Sequence, residues 1–307
     1  MSKKIAILLV TLSALFWGAN FNAGKIAVEN MSPLLVAAVR FSLASIIIIP
    51  LLFYRENNIK EAIKHNMLMY VLLGVIGVAG FNGLFFLGLK YTTPVNGALI
   101  MATNPIVTML LASFILKDPI RFNQRVGMFI SLIGVIFVVT HGSLEMLLRL
   151  KIAFGDWITM AANICWALYG VLGRRYLKNS KPLMTTAATM LVGSLVLIAF
   201  SFYGSSVTPL LHQTWQVYTA LIYMAVFGSV LAYLFWNYGI AKLGAGNTSL
   251  FFNLVPIFTV FISMLMGQPI SALEIFGGSV VILGVLISAN FIKLPIKKVS
   301  ELIEKKG

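Results

Sequence analysis

The stretches "ALFWGANFNAGK" at residues 14–25 and "NICWALYGVLGR" at 163–174 decide the fold. Each lies in a run apolar enough to cross a bilayer. Each spaces a Trp, a Gly and a basic residue alike: Trp17, Gly24 and Lys25 against Trp166, Gly173 and Arg174, a shift of 149. The register continues with Asn30 on Asn179 and Pro33 on Pro182. At shifts of 151 and then 150 it brings Gly88 to Gly239, Pro105 to Pro256, Pro119 to Pro269, Gly127 to Gly277 and Gly134 to Gly284. Self-similarity of this kind marks a duplicated chain.

Of the 307 residues, 59% are hydrophobic and only 10% charged, where a soluble domain carries about a quarter charged. Apolar windows of membrane-crossing length fall at 5–24, 33–54, 66–89, 95–116, 123–141, 152–173, 183–204, 216–240, 246–266 and 273–292. The expected fold is all-α and integral to the membrane, with ten transmembrane helices. Five spans per unit is an odd number, so the second copy enters the bilayer from the opposite side. Two inverted five-helix repeats follow, at 1–141 and 152–292, with a basic tail at 293–307. Inverted repeats are a recurrent transporter plan, with the substrate near the midplane between the halves. The start, with Lys3 and Lys4 before an apolar run, mimics a secretory signal, but its repeat at 163–174 reads it as a first span.

The net charge of +14 needs no nucleic-acid partner. Sorted by alternate sides, 18 of the 23 Lys and Arg fall on one side and 4 on the other, with Arg40 inside the second span. That asymmetry predicts both termini in the cytoplasm, with the tail on the anionic inner leaflet. Cys165 is the sole cysteine, so no internal disulfide forms.

Two segments carry a family likeness: "LFWGANFNAGKIAVENMSPLLVAAVRF" and "TNPIVTMLLASFILKDPIRFNQRVGMFISLIGVIFV". Over residues 5–292 the chain resembles the drug/metabolite transporter superfamily, in particular its bacterial EamA-type ten-helix permeases, which implies a bacterial inner (plasma) membrane. One departure is "MGQPI" in the second copy, with Gln268 where the first copy has Asp118. The resemblance implies a secondary transporter that exports amino acids or other small metabolites by alternating access, the alternative being an uptake or exchange carrier for nucleotide-like solutes.

Polar and aromatic residues at helical spacing mark candidate walls. Ser13, Trp17, Asn20 and Gly24 share one face of the first span, and Asn163, Trp166, Gly170 and Gly173 share one of the sixth. Similar stripes hold Asn82, Phe85 and Phe86; Thr103 and Asn104; Tyr233, Trp236 and Asn237; and Phe252 and Asn253. Each stripe reads either as helix packing glued by hydrogen bonds or as the lining of a chamber. Pro105 and Pro256 occupy matching places, and a mid-helix Pro bends its helix and frees a carbonyl, which suits a gate. Lys25 and Arg174 are candidate guards of the two mouths. Arg40, about 10 Å deep, either snorkels to water or anchors a substrate carboxylate or phosphate.

Gly127, Ser131 and Gly134 in the fifth span and Gly277, Gly284 and Ser288 in the tenth form small-residue stripes that suggest close helix packing away from the path, or a homodimer seam. Asp156 and Glu274 lie near span ends rather than at midplane, which favours facilitated diffusion or exchange over a proton relay. No cofactor is expected. An intramembrane enzyme would need a nucleophile with a base, a metal cluster or paired carboxylates, and a receptor would need a soluble reading domain; the sequence offers neither.

Overall fold

Local capping chemistry starts the helices. In this computed structural model, which describes residues 2–204, 210 and 212–292, Ser2 Oγ accepts the Ile5 N–H to open α1 (Lys3–Val28). Ser32 caps α2 (Pro33–Arg55) through Leu35, with Pro33 in the first turn. Then come α3 (Ile59–Lys90), α4 (Pro94–Ala102 and Asn104–Leu116), α5 (Phe122–Val139), α6 (Phe154–Tyr176), α7 (Pro182–Gly204), α8 (Trp215–Leu243), α9 (Ala245–Leu265) and α10 (Ala272–Ser288). A one-turn helix, Leu144–Leu148, lies between the halves. The basic tail expected at 293–307 lies outside the described residues.

Eight of these helices are long and apolar enough to cross a membrane. Charges at both ends of α6 lower its hydropathy, although its 23 residues suffice in length. With 17 residues, α10 rises about 26 Å at 1.5 Å per residue, a mismatch that a locally thinned bilayer accommodates. Exposed Phe53 and Phe114 face outward as lipid contacts should, and Trp157 and Trp215, 67% and 71% exposed, mark one interface at the starts of α6 and α8.

The acids near span ends are helix caps. Glu274 Oε2 accepts the Ser271 N–H at 2.8 Å while Ser271 Oγ accepts the Glu274 N–H, and His141 sits 3.1 Å from the same carboxylate. At the equivalent place 150 residues earlier, Gln124 Oε1 accepts the Arg121 N–H. Asp156 accepts from the Ala153 N–H and from the Asn96 amide, and bonds the Thr92 hydroxyl.

Contacts between equivalent residues reveal the symmetry. Trp17 and Trp166 have ring centroids 5.5 Å apart, and Ser45 Oγ donates to Ser194 Oγ at 3.2 Å, again across 149 positions. Residues that meet their own copies lie on the symmetry axis. In α5 and α10, Gly127 faces Gly284 and Ser288 while Gly134 faces Gly277 and Val281, so the equivalent helices run antiparallel and the axis lies across them. The chain's two described ends thus share one face of the bundle, here called the terminal face; the other is the distal face.

This α5–α10 packing corrects the expected dimer seam. A Cβ on Gly127 or Gly134 would strike backbone of α10, so both small-residue stripes are consumed within one chain.

The halves interlock where the third helix of each crosses the first helix of the other. Gly77 of α3 seats Tyr169 of α6 and Gly228 of α8 seats Asn20 of α1; Gly88 meets Thr159, and Gly239 meets Val10. All four contacts, two at each crossing, obey the repeat. Both third helices also loosen into a π turn at matching places, Gly74–Gly80 and Met224–Leu231, a distortion often found at functional sites.

Candidate functional site: a cavity between the halves

At these crossings a cavity of about 360 Å³ opens, within the size range of small-molecule sites. Trp17, Asn20 and Lys25 come from α1; Ala37 and Arg40 from α2; Phe81, Asn82, Phe85 and Phe86 from α3. Met101, Trp166, Tyr233 and Phe252 complete the wall from α4, α6, α8 and α9. The space runs from an aromatic floor to exposed Lys25 and half-buried Val28 near the distal face.

The floor is held by edge-to-face, tilted and stacked ring pairs. Trp17 lies 5.9 Å from Tyr233 and 4.9 Å from Trp236, and Trp166 stacks on Tyr169 at 5.3 Å. Such pairs contribute about 0.5–1.5 kcal/mol each beyond area burial. Trp17 Nε1 donates to the Gly228 carbonyl at 3.0 Å, and the Asn82 amide donates to the Tyr233 hydroxyl, its own equivalent 151 positions on. Asn20 Oδ1 is buried against Gly228 without a hydrogen-bond partner.

Arg40 does not snorkel. It is 6% exposed, because Nε donates to Ser229 Oγ at 2.6 Å and Nη2 to the Gly228 carbonyl at 2.8 Å, across to the other half. Its guanidinium also lies over the Phe41 ring at 4.8 Å.

Toward the terminal face the equivalent space is filled. The Asn237 amide donates to Tyr169 Oη at 2.7 Å and Thr186 Oγ1 at 2.9 Å, and Arg174 donates to the Ala241 carbonyl at 2.6 Å. Asn237, Tyr169 and Thr186 are the repeat partners of Phe86, Asn20 and Ala37, all three in the cavity wall. Lys25, partner of Arg174, is exposed and makes no ion pair among the described residues. One scaffold is therefore open at one end and plugged at the other.

Several sequence candidates sit elsewhere. Asn104 Nδ2 donates to Asn163 Oδ1 at 2.6 Å, and Asn163 Nδ2 donates to the Ile100 carbonyl and Thr103 Oγ1; these residues clasp α4 to α6 instead of lining the cavity. Pro105 does not bend a continuous helix. The helix stops at Ala102 and restarts at Asn104, with Pro105 in its first turn, where a missing N–H costs nothing, and Asn163 satisfies the carbonyl at the break. Pro256 likewise begins a new segment after the 3₁₀ turn Leu250–Leu254. Asn253 is tied to Ser131 of α5 at 2.9 Å. Trp236 is packed beneath the floor, and Asn237 and Arg174 belong to the plug.

Sequence reasoning missed Tyr169, Thr186 and, in the second helix, Ala37. Tyr169 lies three residues beyond Trp166, and Thr186 and Thr189 share a face of α7; reading their first-half partners beside them was the available signal.

Comparison with known proteins gives a consistent picture. The model of the EamA-like transporter family matches residues 4–140 and 153–290. The uncharacterized transporter YyaM of Bacillus subtilis is 47% identical over 292 residues, covering 95% of each chain. An uncharacterized transporter of Archaeoglobus fulgidus is 28% identical over 92% of this chain and 96% of its own. A solved crystal structure at 16% identity shares the fold, with a TM-score of 0.79 over 93% of this chain and 98% of that one.

Proposed function

Because the chain belongs to the EamA-like transporter family, within the drug/metabolite transporter superfamily, we propose that this multi-pass membrane protein carries a small polar or amphipathic metabolite, such as an amino acid, by alternating access. The units 1–141 and 152–292 exchange conformations about the shared axis, each rearranging its own helices: opening the terminal face parts α8 from α6 and α7, which Asn237 now holds together. Trp17, Asn20, Asn82, Phe85, Trp166, Tyr233 and Phe252 form the wall the solute touches, and Lys25 and Arg174 guard opposite mouths.

The observation that carries this reading is the open cavity at one end of a near-symmetric scaffold and its plugged equivalent at the other. Exchanging the conformations of the halves opens the plug and closes the cavity with the same crossings, so the two states differ by little free energy. The charge asymmetry supports cytoplasmic termini, so the open cavity faces outward, and the Bacillus subtilis relative supports a bacterial plasma membrane. Asp156 and Glu274, engaged as caps, favour facilitated diffusion or exchange over proton coupling.

Counterflow in sealed proteoliposomes tests the proposal. Internal unlabelled solute should drive accumulation of external labelled solute; uptake that is insensitive to internal solute excludes a carrier.

A further inference from the structure

Resting on that reading of the cavity, we infer that the preferred substrate is an organic monoanion: a carboxylate carried on an apolar or aromatic body. Arg40 takes the charged group and the surrounding rings take the body.

Among the cavity-lining residues the cations are Arg40 and Lys25, and there is no carboxylate. Arg40 is buried in a membrane-spanning helix, where a charge is costly unless something compensates it. The described ion pairs, His141–Glu274, Arg149–Glu145 and Lys181–Glu56, leave it out. Its two hydrogen bonds use Nε and Nη2 and end on neutral oxygens, and its remaining partner is the Phe41 ring, so no anion matches the positive charge and Nη1 is left to bind. Guanidinium is the side chain best shaped to hold a planar carboxylate.

The repeat supplies an internal control. The position equivalent to Arg40 is Thr189, at the same crossing of the other half, where it bonds Tyr169 Oη at 3.4 Å. That crossing forms without a charge, so the architecture does not require a cation there. Arg40 marks a demand of the cavity rather than of the fold.

Around this cation the wall is mostly apolar, with Asn20, Asn82 and Tyr233 as its uncharged polar members. Phe81, Phe85, Phe86, Met101, Trp166 and Phe252 surround the remaining space, which rewards an apolar body and penalises a second charge. Lys25 at the distal mouth raises the local concentration of anions before they reach Arg40.

The test uses three probes of one shape: phenylacetate, phenylacetamide and phenethylamine. Each competes for counterflow and for thermal stabilisation of the purified full-length protein. Phenylacetate should compete at concentrations where the amide and the amine do not. Arg40→Gln should weaken phenylacetate by about tenfold to a hundredfold, the range for a hydrogen bond to a charged group, and leave the amide unchanged. Arg40→Lys should retain part of the preference. Ser229→Ala separates the roles, since it removes a structural bond but keeps the charge and should keep the carboxylate preference. If Arg40→Gln does not fold, the wild-type comparison alone decides. Equal competition by all three probes, or a preference for the amine, overturns the anion assignment while leaving transport intact. Absence of counterflow with every solute overturns both readings.

Discussion

Asn237→Ala tests the plug directly. In the closed terminal face the Asn237 amide makes two hydrogen bonds, to Tyr169 and Thr186, and both must break when that end opens. Hydrogen bonds between membrane helices average about 0.6 kcal/mol each, so removing two costs the closed state about 1.2 kcal/mol. At about 1.4 kcal/mol per tenfold, the equilibrium shifts about sevenfold toward opening at the terminal face. Gly24 and Gly173 are matched reporter positions. A Cβ at Gly24 would lie 3.8 Å from Met224 Sδ, and one at Gly173 would lie 3.7 Å from Leu73 Cδ1, both ordinary contacts. In a Cys165→Ser background, Gly24→Cys reports access from the distal side and Gly173→Cys from the terminal side to an impermeant maleimide. Asn237→Ala should slow labelling at the first and speed it at the second. Unchanged rates at both positions, in a variant with parental thermal stability, would refute the assignment of these side chains as a gate.

Trp17→Ala and Trp166→Ala should each weaken substrate binding about two- to tenfold, from about 0.5–1.5 kcal/mol per lost aromatic contact; thermal-shift titration measures this. Gly134→Ala puts a methyl 2.6 Å from the Val281 backbone nitrogen and should destabilise the α5–α10 pair by about 1–3 kcal/mol, seen as a lower Tm in detergent, whereas Gly24→Ala should match the parent. Ser271→Ala should cost about 1 kcal/mol through the lost cap of α10, read in the same melt. Tags on the two chain ends should be protected from an impermeant protease on the same side of sealed vesicles; protection on opposite sides would exclude the inverted arrangement.

The helices and the duplication were legible because both rest on local or periodic signals: apolar length, Ser caps, and Trp, Gly and Pro recurring at a fixed shift. The cavity was legible only in part. Trp17, Asn20, Asn82 and Tyr233 face it, but Asn104 and Asn163, equally polar and equally buried, spend their hydrogen bonds on each other. A helical-face argument says which residues avoid lipid and not which neutralise one another. Arg40 illustrates the limit. Its partners, Ser229 and the Gly228 carbonyl, are almost 190 positions away, in a π turn that no composition rule announces. The glycine stripes of α5 and α10 were read correctly as packing faces, yet which helix they met depended on the antiparallel pairing of the halves.

The divergence of mirrored residues has a thermodynamic corollary. Asn20 opposite Tyr169, Arg40 opposite Thr189 and Phe86 opposite Asn237 make the two ends chemically unlike. A carrier powered solely by its solute's own gradient must still relax to equal electrochemical potential on both sides, which for an anion means equal concentrations only where no voltage stands across the membrane. Any tighter capture from one compartment is therefore repaid by scarcer exposure of the binding site to it. Such dissimilarity cannot accumulate solute. It sets a kinetic polarity, in which half-saturation and turnover differ between forward and reverse flow while their ratios cancel.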